Sequence, residues 1–268
     1  MKELEKLNDI VARKFDISFE YPHFEIFSEP QKKDLLVFEK AARTCYRSEA
    51  KITKDSAEEL LNMLIRREHM AMVEFMGMTA RFRTSRGVTH ELVRHRHISG
   101  AQESTRYVKY NNVPYIMPWW AAAKNIIPNI PYITEEGSFS IKEFHFLDSC
   151  IGAASMYNRR IVEAKCTPQE ARGSLNNDTA TSINVKANLR EWLHIFSLRC
   201  ASDAHPDIRM LMLGLVYYLQ SSNPVFQIIF QHYKEFEHPY LTWFHDRYYL
   251  VPKDNKFYIV PIEDVNIH

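Results

Sequence analysis

From residue 33 onward apolar positions recur mostly at helical spacing, and shorter alternating runs separate the helical stretches. The pattern is helical over 33–47. Ser56 with Glu59 three residues on forms a capping box ahead of Leu60, Leu61 and Leu64, which predicts a helix stopping near Glu68. Further helices are predicted over 85–96, ending in the basic triplet Arg94-His95-Arg96, and over 141–164. Thr167-Pro168-Gln169-Glu170 then combines an N-cap, a proline at the first helical position and a capping glutamate, so another helix begins there. Two more are expected over 187–199 and 204–220, the second with Ile208, Leu211, Met212, Leu215 and Leu219 on one face. The alternating run 17–27, interrupted by Pro22, predicts extended edge structure, and 75–82 predicts a strand. Residues 107–118, rich in Tyr, Asn and Pro, read as irregular, and the Thr- and Asn-rich stretch 177–184 as a turn or short strand. The aromatics of the tail beyond Pro224 are expected in the core.

No Pro-, Gly- or Ser-rich linker divides the 268 residues, so 1–268 reads as one domain, and a hydrophobic content of 46% suffices for a sizeable core. The seven glycines include no G-x-G-x-x-G, which argues against a glycine-rich dinucleotide loop. Cys45, Cys150, Cys166 and Cys200 form no C-x-x-C and read as reduced thiols. The charged amino terminus and the lack of a bilayer-length apolar run lead to the expectation of a cytoplasmic protein without membrane partners.

The densest chemistry lies between Arg94 and Tyr107, R-H-R-H-I-S-G-A-Q-E-S-T-R-Y. Two guanidiniums and an imidazole ahead of Ser104, Thr105 and Arg106 suit a phosphate held by forked, charge-assisted hydrogen bonds, with backbone amides around Ser104 completing the anion site. Such a triplet also serves as a solvated helix end or a nucleic-acid contact. With a net charge of +1 and bases matched by acids along the chain, no nucleic-acid footprint exists, and a small phosphorylated ligand fits better. His95 and His97, spaced by two on a predicted helix with no H-E-x-x-H or Cys partner, give no reason to expect a metal site.

This segment resembles the signature of flavin-dependent thymidylate synthase, an Arg-His-Arg followed after seven residues by Ser. Three further patches extend the resemblance over roughly 41–209. His69 and Glu74 match an H-x-T-x-x-E segment in which Ala71 replaces the usual Thr. Ala171-Arg172 matches an Ala-Arg that the family follows with Leu-Pro, where this chain continues Gly173-Ser174-Leu175-Asn176. Asn188, Arg190, His194 and Arg199 fall in the third patch, which runs on to Arg209. Two other departures change charge: Gln102 stands where Glu is frequent, and Glu91 where Gln is frequent.

The resemblance implies an α+β fold, a twisted antiparallel sheet flanked by helices, in a homotetramer with active sites shared between subunits. It implies methylation of dUMP to dTMP with 5,10-methylenetetrahydrofolate as carbon donor and NADPH as reductant through FAD. No cysteine nucleophile is needed, and none of the four Cys falls on a matched position. By the same match, Glu91, Arg94, Gln102, Glu103, Ser104, Thr105, Arg106 and Arg172 would bind dUMP, and Arg199 would be catalytic, stabilising charge on the pyrimidine. His69, Ala71, Glu74, Arg94, His95, Arg96, Gln102, Asn188, Arg190 and His194 would line FAD. At about 100° per residue, Asn188 and Arg199 border one side of the apolar stripe of their helix and Arg190 and His194 the other, which suggests different ligands or sites. The alternative is a non-catalytic nucleotide- or RNA-binding module with Tyr107 and Tyr110 as stacking surfaces.

Overall fold

The described residues, 1–130 and 140–265 of a computed structural model, begin with an amphipathic helix, α1 (Lys2–Phe15), that buries Leu7 and Val11. Strands β1 (Ile17–Glu20) and β2 (His23–Ser28) follow, with Pro22 between them where its missing N–H breaks no ladder. Next come α2 (Lys32–Thr44), α3 (Ser56–Arg66), β3 (Gly77–Ser85), α4 (Arg86–Leu92), β4 (Ser99–Gln102), β5 (Val113–Ile116) and α5 (Ala123–Ile126). The second half holds α6 (Ile141–Val162), α7 (Pro168–Ala171), β6 (Ala180–Asn188), α8 (Leu189–Arg199), α9 (Pro206–Ser222), α10 (Pro224–Phe230), α11 (Thr242–His245), β7 (Tyr248–Lys253) and β8 (Lys256–Pro261).

Six strands form one sheet in the order β4-β6-β3-β2-β8-β7 with every neighbouring pair antiparallel, while β1 and β5 pair in parallel as a separate two-stranded sheet. The chain is thus α+β with an antiparallel main sheet, as expected, plus a small parallel pair that was not. Alternation decides the faces of the main sheet. Met78, Ala80 and Phe82 of β3 with Ile183, Val185 and Ala187 of β6 are buried in one core with Trp192 and Phe196 of α8 and the apolar positions of α9. Burying each such large side chain contributes about 1.5–3 kcal/mol. The intervening residues, Arg81, Arg83, Ser182 and Asn184, form a polar opposite face. A second apolar cluster joins α1, β1, β5 and α6.

Several elements differ from expectation. β2 is interior rather than an edge strand, because β8 supplies its second neighbour from the tail. Ser56 forms no capping box; its hydroxyl accepts from the Thr53 amide at 2.8 Å and donates to buried Glu39 at 2.6 Å. The stretch 177–184 contributes to a nine-residue strand that pairs along its full length with β3. The helix predicted over 85–96 ends at Leu92, so the basic triplet lies in the turn beyond it.

Candidate active site

β6 runs directly into α8, and this junction organises the site. Gly77 of β3 lies opposite Asn188, where a Cβ would stand 2.9 Å from the Ala187 carbonyl oxygen, so only glycine admits this close approach. The Leu189 amide then bonds the Met76 carbonyl at 2.9 Å. Asn188 is the N-cap of α8, its Oδ1 accepting from the Glu191 amide at 2.8 Å. Because Asn188 is extended rather than helical, its expected place on a helical wheel does not apply.

Beyond α4, a tight turn closes through Arg94 N to Glu91 O at 3.3 Å and His95 N to Leu92 O at 3.1 Å. His95 is buried, whereas Arg94, Arg96 and His97 are exposed. The His95 Nε2 accepts from Arg199 Nε at 3.0 Å, and Arg199 also donates to the Glu91 carboxylate at 2.7 Å and to the Glu91 carbonyl at 3.1 Å. Glu91, expected at the nucleotide, therefore holds Arg199. Burial, then the Arg199 cation and His194, push the His95 pKa down to about 4, so the imidazole is neutral at physiological pH. Its ring packs edge-on against His194 with centroids 5.8 Å apart.

Two cavities adjoin this cluster. One, of about 470 Å³, is lined by Glu74, His97, Asn188, Arg190, Glu191 and His194. The other, of about 740 Å³, includes Arg43, Tyr46, Lys51, His69, Ala71 and again Arg190 in its wall. Both volumes suit small-molecule sites. Arg190 bonds Glu74 at 2.7 Å across this boundary. Asn188, Arg190 and His194 thus share one cavity, and Arg199 joins them through His95, which corrects the expectation of two opposed edges. His69 is delivered by the end of α3, where Glu68 takes φ 58° and the His69 amide bonds the Leu64 carbonyl at 2.9 Å, a Schellman-type turn.

The presumed phosphate segment is only partly free to bind. The Glu103 amide is committed to the Ser182 carbonyl at 2.8 Å, so it is not a spare anion donor. The Glu103 carboxylate is taken by Arg83 at 3.1 Å and by the Tyr110 hydroxyl at 2.5 Å. Burial and that bond raise the Tyr110 phenol well above its ordinary range. Tyr110 is buried and offers no stacking face, whereas Tyr107 is exposed beneath the Arg106 guanidinium. Gln102 donates to the hydroxyls of Thr89 at 2.9 Å and Thr181 at 3.5 Å, and the Thr89 hydroxyl donates onward to the Arg86 carbonyl at 2.9 Å, so this position uses the amide donor that a carboxylate lacks. Thr105 is buried, and the Ser104 hydroxyl accepts from the Arg106 amide at 3.3 Å.

Arg106 Nε donates to Gln169 of α7 at 2.8 Å, which brings this segment to the turn carrying Arg172. Thr167 and Glu170 form the predicted capping box there. The missing proline leaves the turn intact, since Asn176 accepts from the Thr179 hydroxyl at 3.3 Å and donates to Ser149 at 3.5 Å. Arg94, Arg96 and Arg172 are exposed and have no side-chain ion pair among the described residues, so their donors remain available to an anion.

Sequence reasoning missed Glu191, His97 as a cavity residue, and Arg43, Tyr46 and Lys51. Glu191 was masked by its spacing. Asn188-x-x-Glu191 reads as an ordinary helix start, yet the carboxylate faces His95 Nδ1 at 3.5 Å instead of returning to the cap.

Residues 28–225 match the family model described as thymidylate synthase complementing protein. A flavin-dependent thymidylate synthase of Corynebacterium diphtheriae is 31% identical over 193 residues, covering 69% of this chain and 74% of the relative. Another from Corynebacterium aurimucosum is 29% identical over 206 residues, covering 75% and 82% respectively. Among solved structures, the UMP/dUMP methylase PolB from Streptomyces cacaoi, crystallised with 5-Br dUMP, superposes with a TM-score of 0.61 at 23% identity, over 80% of this chain and 97% of that one, a likeness of fold.

Proposed function

The chain belongs to the thymidylate synthase complementing protein family, and from that premise we propose that it is a flavin-dependent thymidylate synthase. It methylates dUMP to dTMP, with 5,10-methylenetetrahydrofolate as carbon donor and NADPH as reductant. The observation that carries this reading is the setting of Arg199. Glu91 and His95 hold its guanidinium through three of five N–H donors, leaving one free donor on each terminal nitrogen. Donors held in this way suit charge developing on a pyrimidine edge, and they cost no reorganisation when that charge appears.

The donor set fits FAD. Arg43, Lys51, His69 and Arg190 in the larger cavity suit a diphosphate, while Asn188 and His194 in the smaller one suit the hydrogen-bonding edge of a flat heteroaromatic ring. Bound there, FAD supplies the hydride chemistry. Ala71 lines the larger cavity without a hydroxyl to offer, and Glu74 holds Arg190 in place. Arg94, Arg96, Ser104, Arg106 and Arg172 would take the nucleotide and its phosphate, with Gln102 and Thr105 shaping the backbone around it. Homotetrameric assembly with shared sites belongs to the same reading.

Purified protein incubated with FAD, NADPH, methylenetetrahydrofolate and dUMP should form dTMP, detected chromatographically. Absence of both flavin uptake and dTMP at saturating ligands would refute the assignment.

A further inference from the structure

Resting on that reading, we propose that Glu191 is a positioning residue that keeps the His95 proton on Nδ1, so that Nε2 stays an acceptor and orients Arg199. The imidazole lies between two fixed partners. On one side Nε2 is 3.0 Å from Arg199 Nε, a nitrogen that can only donate. On the other, Nδ1 is 3.5 Å from Glu191 Oε1, an atom that can only accept when ionised.

His95 is held neutral, by burial first and then by the neighbouring Arg199 and His194, so its ring carries a single proton. With that proton on Nδ1 both contacts are attractive. Moved to Nε2, it would set N–H against N–H at Arg199 and a lone pair against a carboxylate at Glu191, reversing both contacts together. The partner of one ring nitrogen thereby decides the role of the other.

The local fold supports the assignment. Glu191 is 7% exposed and His95 is 6% exposed, so water competes little for either contact. Asn188 caps the Glu191 amide and fixes the first turn of α8, while the carboxylate stays out of the cap. Arg199, at the far end of the same helix, receives the effect through a ring anchored on a different segment. Glu191 itself lines the smaller cavity, but its contact is with His95, so it acts through another residue.

The test is imidazole ¹⁵N NMR on the full-length, cofactor-free chain, with His95 assigned through His95→Gln, combined with steady-state kinetics of the loaded enzyme. The wild type should show protonated Nδ1 and bare Nε2. Glu191→Leu should mix the tautomers and lower kcat about tenfold or more, with little change in the KM for dUMP. Glu191→Gln keeps an acceptor and should retain the tautomer, shift the Nδ1 resonance and preserve most of kcat. Protonated Nε2 in the wild type would overturn the proposal. So would unchanged tautomer and kcat in Glu191→Leu. Should that variant not fold, an Nδ1 resonance unmoved in Glu191→Gln would overturn it. A wild type with the stated tautomer that forms no dTMP would refute the enzymatic reading alone.

Discussion

Replacing Arg199 by Lys isolates geometry from charge. The guanidinium meets three acceptors on two sides, His95 Nε2 at 3.0 Å and two oxygens of Glu91 at 2.7 and 3.1 Å. An ammonium at the end of a flexible stem can keep the Glu91 ion pair but cannot also span to His95 and hold the remaining donors in the plane of a guanidinium. At about 1.5–3 kcal/mol for each hydrogen bond to a charged group, losing one such contact in the transition state corresponds to a roughly ten- to hundredfold lower kcat. Arg199 is only partly exposed at the end of a helix whose apolar face is buried, so the fold should survive. The assay is dTMP formation at saturating substrates, with flavin content from absorbance and folding from far-ultraviolet circular dichroism. Unchanged turnover with full flavin content would refute the argument. Loss of turnover together with loss of flavin would assign Arg199 to cofactor retention instead.

The central helices and β3 were legible in sequence because their apolar periodicity coincides with their burial. What escaped was set by partners distant in the chain. Helix α1 looked merely charged, though Leu7 and Val11 at i and i+4 mark its buried stripe. The hairpin β7–β8 was read only as part of an aromatic tail expected in the core, with no strands assigned, yet Asp254-Asn255 between two alternating runs is a turn signal, and both residues adopt positive φ. β6 was obscured by its polar residues: Ser182 and Asn184 face the polar side of the sheet, Thr181 is buried on the apolar side, and β3 supplies the register. In the site, residue types were readable but their partners were not. Glu103 and Glu91 both looked like nucleotide ligands; the first is engaged by Arg83 and Tyr110, the second by Arg199. Burial alone would lower the Arg83 pKa, but Glu20 and Glu103 raise it on balance, so the guanidinium stays charged.

Arg106→Ala should weaken dUMP binding by about ten- to hundredfold and leave FAD binding unchanged, as isothermal titration of each ligand will show; equal losses would indicate misfolding. Mixing inactive Arg94→Ala with inactive Arg199→Ala subunits should restore dTMP formation if sites are shared, since Arg94 is exposed while its neighbour His95 turns inward to Arg199. Continued inactivity in verified mixed oligomers would place both residues at a site in one chain. Burial, Arg199 and His194 hold His95 at about 4 in the fold, below its ordinary 6.5, so between those pH values the unfolded chain takes up a proton that the native chain does not. The stability His95 contributes is therefore complete above about pH 6.5, declines as pH falls, and is gone below about 4, by at most on the order of 3 kcal/mol. His23, lowered to about 4 chiefly by burial, acts in the same direction. Urea unfolding at pH 7 and pH 5 should thus show a smaller acid loss in His95→Gln than in the wild type, with the His23 contribution common to both. An identical loss in the two proteins would mean that His95 is charged in the fold, and a charged imidazole could not accept from Arg199.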